Sequence, residues 1–237
     1  MSTYILVPGL WLGAWAWHDV TATLRADGHD AYPLTLTGLA DRSHLLGPDI
    51  DLDRHIEDIV RLAEAEDLHD IVLVGHSYAG LPVSAAALRL KDRIKAVVYV
   101  DAGAQPEGTS QWDSTPPEDQ AASPDDAVAL DPREWDPAAD PHMLAGLDER
   151  ALGQLRTRST PHPMASVKQA VGAHATSADL RTVLISCAFP METVQAMMAA
   201  GHPWFVEMTD ARIIPLPTGH WPMLSEPKAL AEILSSL

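Results

Sequence analysis

Residues Ile71-Val72-Leu73-Val74-Gly75-His76-Ser77-Tyr78-Ala79-Gly80 decide the fold. The first four are apolar and mostly β-branched, a run that reads as a buried strand. They lead directly into Gly75-His76-Ser77-Tyr78-Ala79-Gly80, and an alanine- and leucine-rich helical stretch at 79–90 follows without a linker. A serine at such a junction stands on a sharp, strained strand-to-helix turn with its hydroxyl lifted clear. Small residues two positions before and after it let strand and helix approach closely. The usual pattern is G-x-S-x-G; here Ala79 takes the last place and Gly80 follows one residue on. One extra methyl predicts a turn that survives with slightly looser packing.

Strand and helix alternate on both sides of this junction. Apolar runs at 4–7, 31–36, 94–100, 182–188 and 211–216 read as strands. Stretches at 15–26, 51–66, 192–199 and 226–237 read as helices, with Ile56, Ile59, Val60 and Ala63 on one face of the second. The run at 94–100 is fully apolar, as expected for a strand covered on both faces. The pattern predicts an α/β fold, a doubly wound, mainly parallel sheet with right-handed crossovers. It breaks from about residue 105 to 163, where proline, aspartate and glutamate abound and no clear strand is visible, though 144–156 has helical character. The expected organisation is a core of residues 1–104 and 176–237 with a small cap insertion at 105–175. The cap would cover the carboxyl edge of the sheet, where such sheets bind ligands.

Composition narrows the function. The formal net charge is −17, and Lys and Arg, 16 in all, form no polybasic cluster. Such a chain repels phosphate backbones, so nucleic acid is excluded as an expected partner. No apolar run approaches the roughly 20 residues a membrane-spanning helix needs. The first residues show no secretory signal pattern, so a cytoplasmic location is expected. The single cysteine, Cys187, allows no disulfide within the chain and reads as a core residue. Asp136 and Asp140 lack a calcium-loop pattern, and no metal or other cofactor is expected.

A serine hydroxyl is a weak nucleophile until a base accepts its proton and a third group orients that base. Among 11 histidines, placement singles out His220: it lies on a loop after the last strand and before the closing helix, in Thr218-Gly219-His220-Trp221-Pro222. His76 adjoins the serine, but neighbouring side chains diverge at a sharp turn, so it reads as a structural or pocket residue. The oxyanion of a tetrahedral intermediate needs backbone donors. The Tyr78 amide, just after Ser77, is one candidate. The Leu10 amide, on the loop Pro8-Gly9-Leu10-Trp11 after the first strand, is the other, with Gly9 allowing the turn. Gly9, Trp11, His76 and Trp221 are the expected substrate-binding residues. Trp112 and Trp135 are candidate anchors of the insertion.

The segment Val7-Pro8-Gly9-Leu10-Trp11-Leu12-Gly13-Ala14-Trp15-Ala16-Trp17-His18, together with the elbow at 75–80 and Gly219-His220, resembles one branch of the α/β-hydrolase fold. That branch holds the hydroxynitrile lyases, the methyl-ketone-forming enzymes and the plant salicylate-type methylesterases. Tyr99-Val100-Asp101-Ala102 is similar to the end of the sixth strand in bacterial members. The resemblance implies a serine hydrolase acting through an acyl-enzyme. Plant hydroxynitrile lyases carry a lysine after the catalytic histidine and a threonine in the oxyanion loop, where this chain has Trp221 and Gly9. Ester hydrolysis needs neither. Such enzymes usually carry the acid just after the seventh strand, but Cys187-Ala188-Phe189-Pro190-Met191 offers no carboxylate there. Asp101 is the first candidate acid, Glu192 the second and Asp210, expected at the opposite edge of the sheet, the third. A structural role capping the strand end competes for Asp101.

The sequence thus predicts a cytoplasmic carboxylic-ester hydrolase for a small, largely apolar substrate, with Ser77, His220 and Asp101 as catalytic residues. Two alternatives stand beside it: a lyase on the same scaffold, and a non-catalytic protein that captures a small apolar ligand. A homodimer is compatible with either enzyme reading.

Overall fold

The computed structural model describes residues 1–124 and 126–237, leaving out the side chains of 118, 119 and 122; the expected cap segment is described apart from these positions. In chain order the elements are β1 (Thr3–Val7), α1 (His18–Ala26), β2 (Asp30–Pro33), α2 (Leu52–Ala65), β3 (Ile71–His76), α3 (Gly80–Arg89) and β4 (Ile94–Val100). Then follow α4 (Pro117–Ala122), β5 (Ala129–Leu130), α5 (Glu149–Arg158), β6 (His162–Pro163) and α6 (Met164–Lys168). The chain closes with β7 (Thr182–Ser186), α7 (Met191–Ala199), β8 (Arg212–Pro215), α8 (Pro222–Ser225) and α9 (Pro227–Ser235).

Six strands form one sheet in the order β2-β1-β3-β4-β7-β8, and every pair is parallel. Alternating side chains feed two cores, as period-2 pleating demands. Ile5, Leu73, Tyr99 and Leu184 face α2 and α3, where they meet Ile59 and Val83. Leu6, Val72, Val98 and Val183 face α1 and α9, where they meet Val20, Leu24, Leu230 and Leu234. Asp51 caps α2, its carboxylate accepting the Arg54 amide at 2.9 Å. Among the described residues, no helix is long and apolar enough to cross a membrane.

Three sequence expectations need correction. The second strand ends at Pro33 rather than at 36, because the chain then leaves the edge toward the 3-10 turn Ala40–Leu45. The helix expected at 144–156 begins at Glu149, where the Asp148 carboxylate caps it by accepting the Ala151 amide at 2.8 Å. The stretch expected to hold no strand contains both strands of a short antiparallel pair, with Leu130 opposite His162. Two residues per strand are too few to leave a period-2 signal.

The strand order reverses between β1 and β3, so the carboxyl ends of these two strands flank a crevice. Register then fixes the functional geometry. Val7 lies opposite Gly75, and His76 opposite Val100. The loop after β1, Ser77 and Asp101 therefore emerge side by side at one edge.

Candidate active site

The turn after β3 puts Ser77 at φ +53°, a left-handed conformation that costs a non-glycine residue strain and points its side chain away from the helix. A Cβ on Gly75 would sit 2.8 Å from Val83 Cγ2 and 3.0 Å from the Ala79 carbonyl, so glycine is required there. Ala79, in the place where the usual pattern has glycine, is fully buried. The second glycine the turn needs is Gly80, whose α-carbon abuts the Gly103 carbonyl on the loop after β4.

His220 bridges the two strand ends. The Ser77 hydroxyl donates to His220 Nε2 at 2.9 Å, and His220 Nδ1–H donates to Asp101 Oδ2 at 2.5 Å. The second oxygen of Asp101 accepts the amides of Cys187 and Ala188 at 3.0 and 3.1 Å. Burial alone would push the Asp101 pKa up; the hydrogen bond and charge of His220, then the Cys187 amide, outweigh it and hold the carboxyl below its ordinary value. The segment after β7, which lacks the usual acid, thus supplies amides to a carboxylate on the neighbouring strand. Glu192 and Asp210, the other acids considered, are both exposed. Asp210 lies before β8, at the end of the sheet remote from Ser77, and its amide accepts no role at the site: it donates to Ser177 Oγ.

The loop carrying His220 is held from two sides. Its amide donates to the Met143 carbonyl at 2.7 Å, and its own carbonyl accepts His76 Nε2–H at 2.6 Å. Gly219 lies against the backbone of residues 143 and 145 too closely for any Cβ. His76 is 1% exposed; burial first, then the neighbouring His220, push its pKa down to about 3, so it stays neutral. Its ring lies 4.8 Å from that of His220, and it ties the two loops together while touching the cavity.

A cavity of about 580 Å³ opens above Ser77. Leu10, Trp11, His76 and Trp221 line it beside Ser77 and His220. Leu184, Phe189, Val194, Trp204 and Phe205 form an apolar wall beyond the ends of β4 and β7. Residues between β4 and β7, among them Gln111, Leu130 and Met143, complete it. Gly9 touches the elbow itself: a Cβ there would fall 2.9 Å from Ser77 Cβ and 2.8 Å from His76 Nδ1. Leu10 lines the cavity, and Tyr78, at the start of the helix, is buried with its hydroxyl donating to His55 Nδ1 at 2.8 Å. Trp135 packs edge-on between Trp11 and Trp221 at 5.9 and 5.0 Å, while Trp112 lies under the Lys168 ammonium at 5.1 Å. Asp140 pairs with Arg133, and Asp136 caps the turn at Ala138.

Sequence reasoning missed the amides of Cys187 and Ala188 and the backbone of residues 143 and 145. Backbone groups carry no residue-type signal. Gly219, immediately before the histidine, was the only mark of that close approach.

Comparison with known proteins agrees with this architecture. The chain is 28% identical to a carbendazim-hydrolysing esterase of Nocardioides sp. (strain SG-4G), over all of both chains. It is 41% identical over 102 residues to an esterase of Oryza sativa subsp. japonica, a match spanning 42% of this chain and 38% of that one. Among solved structures, an Arabidopsis methylesterase superposes with a TM-score of 0.76 at 19% identity, covering 100% of this chain and 98% of that one. A Paenibacillus alpha/beta-hydrolase gives the same score, identity and coverage. At that identity the structural likeness concerns the fold. The model of the alpha/beta hydrolase family matches residues 4–233, nearly the whole chain, and the protein therefore belongs to that family.

Proposed function

We propose that the protein is a serine carboxylic-ester hydrolase with Ser77 as nucleophile, His220 as general base and acid, and Asp101 as the acid that orients the imidazole. The observation that carries this reading is the unbroken hydrogen-bonded chain from Ser77 through His220 to Asp101 beneath a largely apolar cavity. Ser77 Oγ attacks the ester carbonyl as His220 Nε2 takes its proton. The imidazolium is stabilised by Asp101, and the oxyanion by the Leu10 and Tyr78 amides. His220 then protonates the departing alkoxide, leaving an acyl-enzyme. Water, deprotonated by the same nitrogen, attacks the acyl carbon, and Ser77 recovers its proton as the acid leaves.

The names of relatives, a carbendazim-hydrolysing esterase and a methylesterase of Arabidopsis thaliana, favour an ester substrate. The wall formed by Phe189, Val194, Trp204 and Phe205 favours an apolar group on it. Residues 105–175 act as the cap, and the single buried cysteine suits a reducing cytoplasm. Nothing in the site favours cyanohydrin cleavage, since Trp221 stands where a lysine would hold cyanide.

The test is labelling with a fluorophosphonate, followed by hydrolysis of p-nitrophenyl esters of increasing chain length. Wild type is expected to be labelled and to turn over short esters. Ser77→Ala is expected to lose both while keeping its far-UV circular dichroism. An unlabelled, inactive wild type would make the protein a ligand-binding member of the fold instead.

A further inference from the structure

Trp11 adjoins the Leu10 amide, and all three of its hydrogen-bonding groups go to one distant stretch of chain. Its indole N–H donates to the Leu130 carbonyl at 3.1 Å. Its carbonyl accepts the Thr160 amide at 3.0 Å, and its own amide donates to His162 Nδ1 at a long 3.4 Å. These anchors form one unit, because Leu130 pairs with His162 across β5 and β6. Thr160 is itself fixed, its hydroxyl accepting the Ala40 amide at 2.9 Å. Trp11 sits at φ +67°, a strained conformation that persists only where the surroundings impose it.

His162 is the centre of this arrangement. It is fully buried, and its Nε2–H donates to Ser166 Oγ at 3.0 Å. The Ser166 hydroxyl spends its own proton on the Pro163 carbonyl at 2.8 Å, so it can only accept from the ring. That fixes the tautomer and leaves Nδ1 as an acceptor. The ring also packs edge-on against Tyr78 at 4.6 Å and His55 at 5.5 Å. It therefore touches the backbone of the loop proposed to supply one oxyanion donor and the side chain of Tyr78, proposed to supply the other.

We propose that His162 is a positioning residue of the oxyanion pocket: its Nδ1 holds the Trp11 amide and thereby sets the direction of the Leu10 amide relative to that of Tyr78. This rests on the reading of Ser77 as an ester-cleaving nucleophile with those two donors. The segment between β4 and β7 is then more than a roof over substrate, because it locks part of the catalytic backbone in place. Burial, then the neighbouring His55, hold the His162 pKa well below its ordinary value, so the lone pair on Nδ1 persists at neutral pH. An oxyanion exists only after attack. Misplacing its donor slows turnover and leaves ground-state binding almost untouched.

The experiment compares wild type with His162→Leu, which removes the acceptor, and His162→Asn, whose side-chain oxygen can replace Nδ1. Steady-state hydrolysis of p-nitrophenyl butyrate gives kcat and KM, and an alkyl boronic acid, which binds serine as a tetrahedral adduct, gives a Kd. His162→Leu is expected to lower kcat about 10- to 100-fold with KM within about twofold, and to weaken boronate binding by a similar factor. His162→Asn is expected to recover most of both losses. Ser166→Ala, which frees the tautomer without emptying the site, is expected to lower kcat in the same direction and serves if His162→Leu does not fold. Wild-type kcat and boronate affinity in His162→Leu or, where that variant does not fold, in Ser166→Ala would overturn the proposal. So would an Asn variant that folds yet recovers nothing. In either case a wild type that is active and fluorophosphonate-labelled leaves the esterase reading intact. A wild type that is neither active nor labelled sinks both.

Discussion

Ser77 and Asp101 occupy equivalent places on adjacent strands. Each is the first residue beyond the paired couple His76 and Val100, and each turns into left-handed backbone, at φ +53° and +46°. Two residues 24 positions apart thus emerge side by side, and His220 needs only to lie across them. Trp11, on the loop after β1, shares the conformation at φ +67°. The strain at these three positions lies where the candidate site is built, while Ala40, Asp67 and Asp70 carry positive φ elsewhere in the chain.

Asp101→Asn is expected to keep the fold but present the wrong imidazole tautomer to Ser77. A fall in kcat of about 10,000-fold is the precedent for such a change. Glu192→Gln, on an exposed helical turn, should stay near wild type. Steady-state kinetics of the two variants on one ester decide the point; equal, small losses would remove Asp101 from its role.

Gly9→Ala places a methyl 2.8 Å from His76 Nδ1 and 2.9 Å from Ser77 Cβ, where neither neighbour is free to withdraw. The loop after β1 must shift, and the Leu10 amide with it. A loss of about 1–3 kcal/mol in urea unfolding is expected from overpacking. A drop in kcat of at least about tenfold should accompany it. Unchanged kcat would show that the loop does not contribute a donor.

Gly80→Ala tests which glycine the elbow requires. Its methyl would run into the Gly103 carbonyl, backbone that is itself pinned against Trp204. The thermal midpoint is expected to fall by an amount matching about 1–3 kcal/mol. A midpoint equal to wild type would mean that the two loops part at little cost.

Stability should decline on mild acidification. His55, His76 and His162 are buried; burial pushes His55 down to about 4 and His76 to about 3, from an ordinary 6.5, and His162 also falls well below it. Between pH 6.5 and those lower values the unfolded chain binds protons that the folded one refuses, so stability falls as pH falls. Each histidine contributes up to about 1.4 kcal/mol per pH unit. Asp101 acts in the same sense at lower pH: its depressed pKa gives stability that is present above the unfolded value and lost as pH drops through the folded one. Urea midpoints measured from pH 7.5 to 5 should decline steadily; a flat profile would contradict neutral burial of these rings.

The sequence by itself determined the alternation of strand and helix, the elbow at Ser77 and the histidine loop, because each is written in local residue types: apolar runs, glycines at tight turns, a serine at a junction. It could rank Asp101, Glu192 and Asp210 as acids but not choose among them, since a carboxylate's partners depend on strand order and register. Only the tertiary structure brought Asp101 within 2.5 Å of His220, set the Cys187 and Ala188 amides on its other oxygen, and fastened Trp11 to His162. Those contacts join residues 86 to 151 positions apart. They run largely through backbone groups, which every residue possesses and no sequence pattern distinguishes.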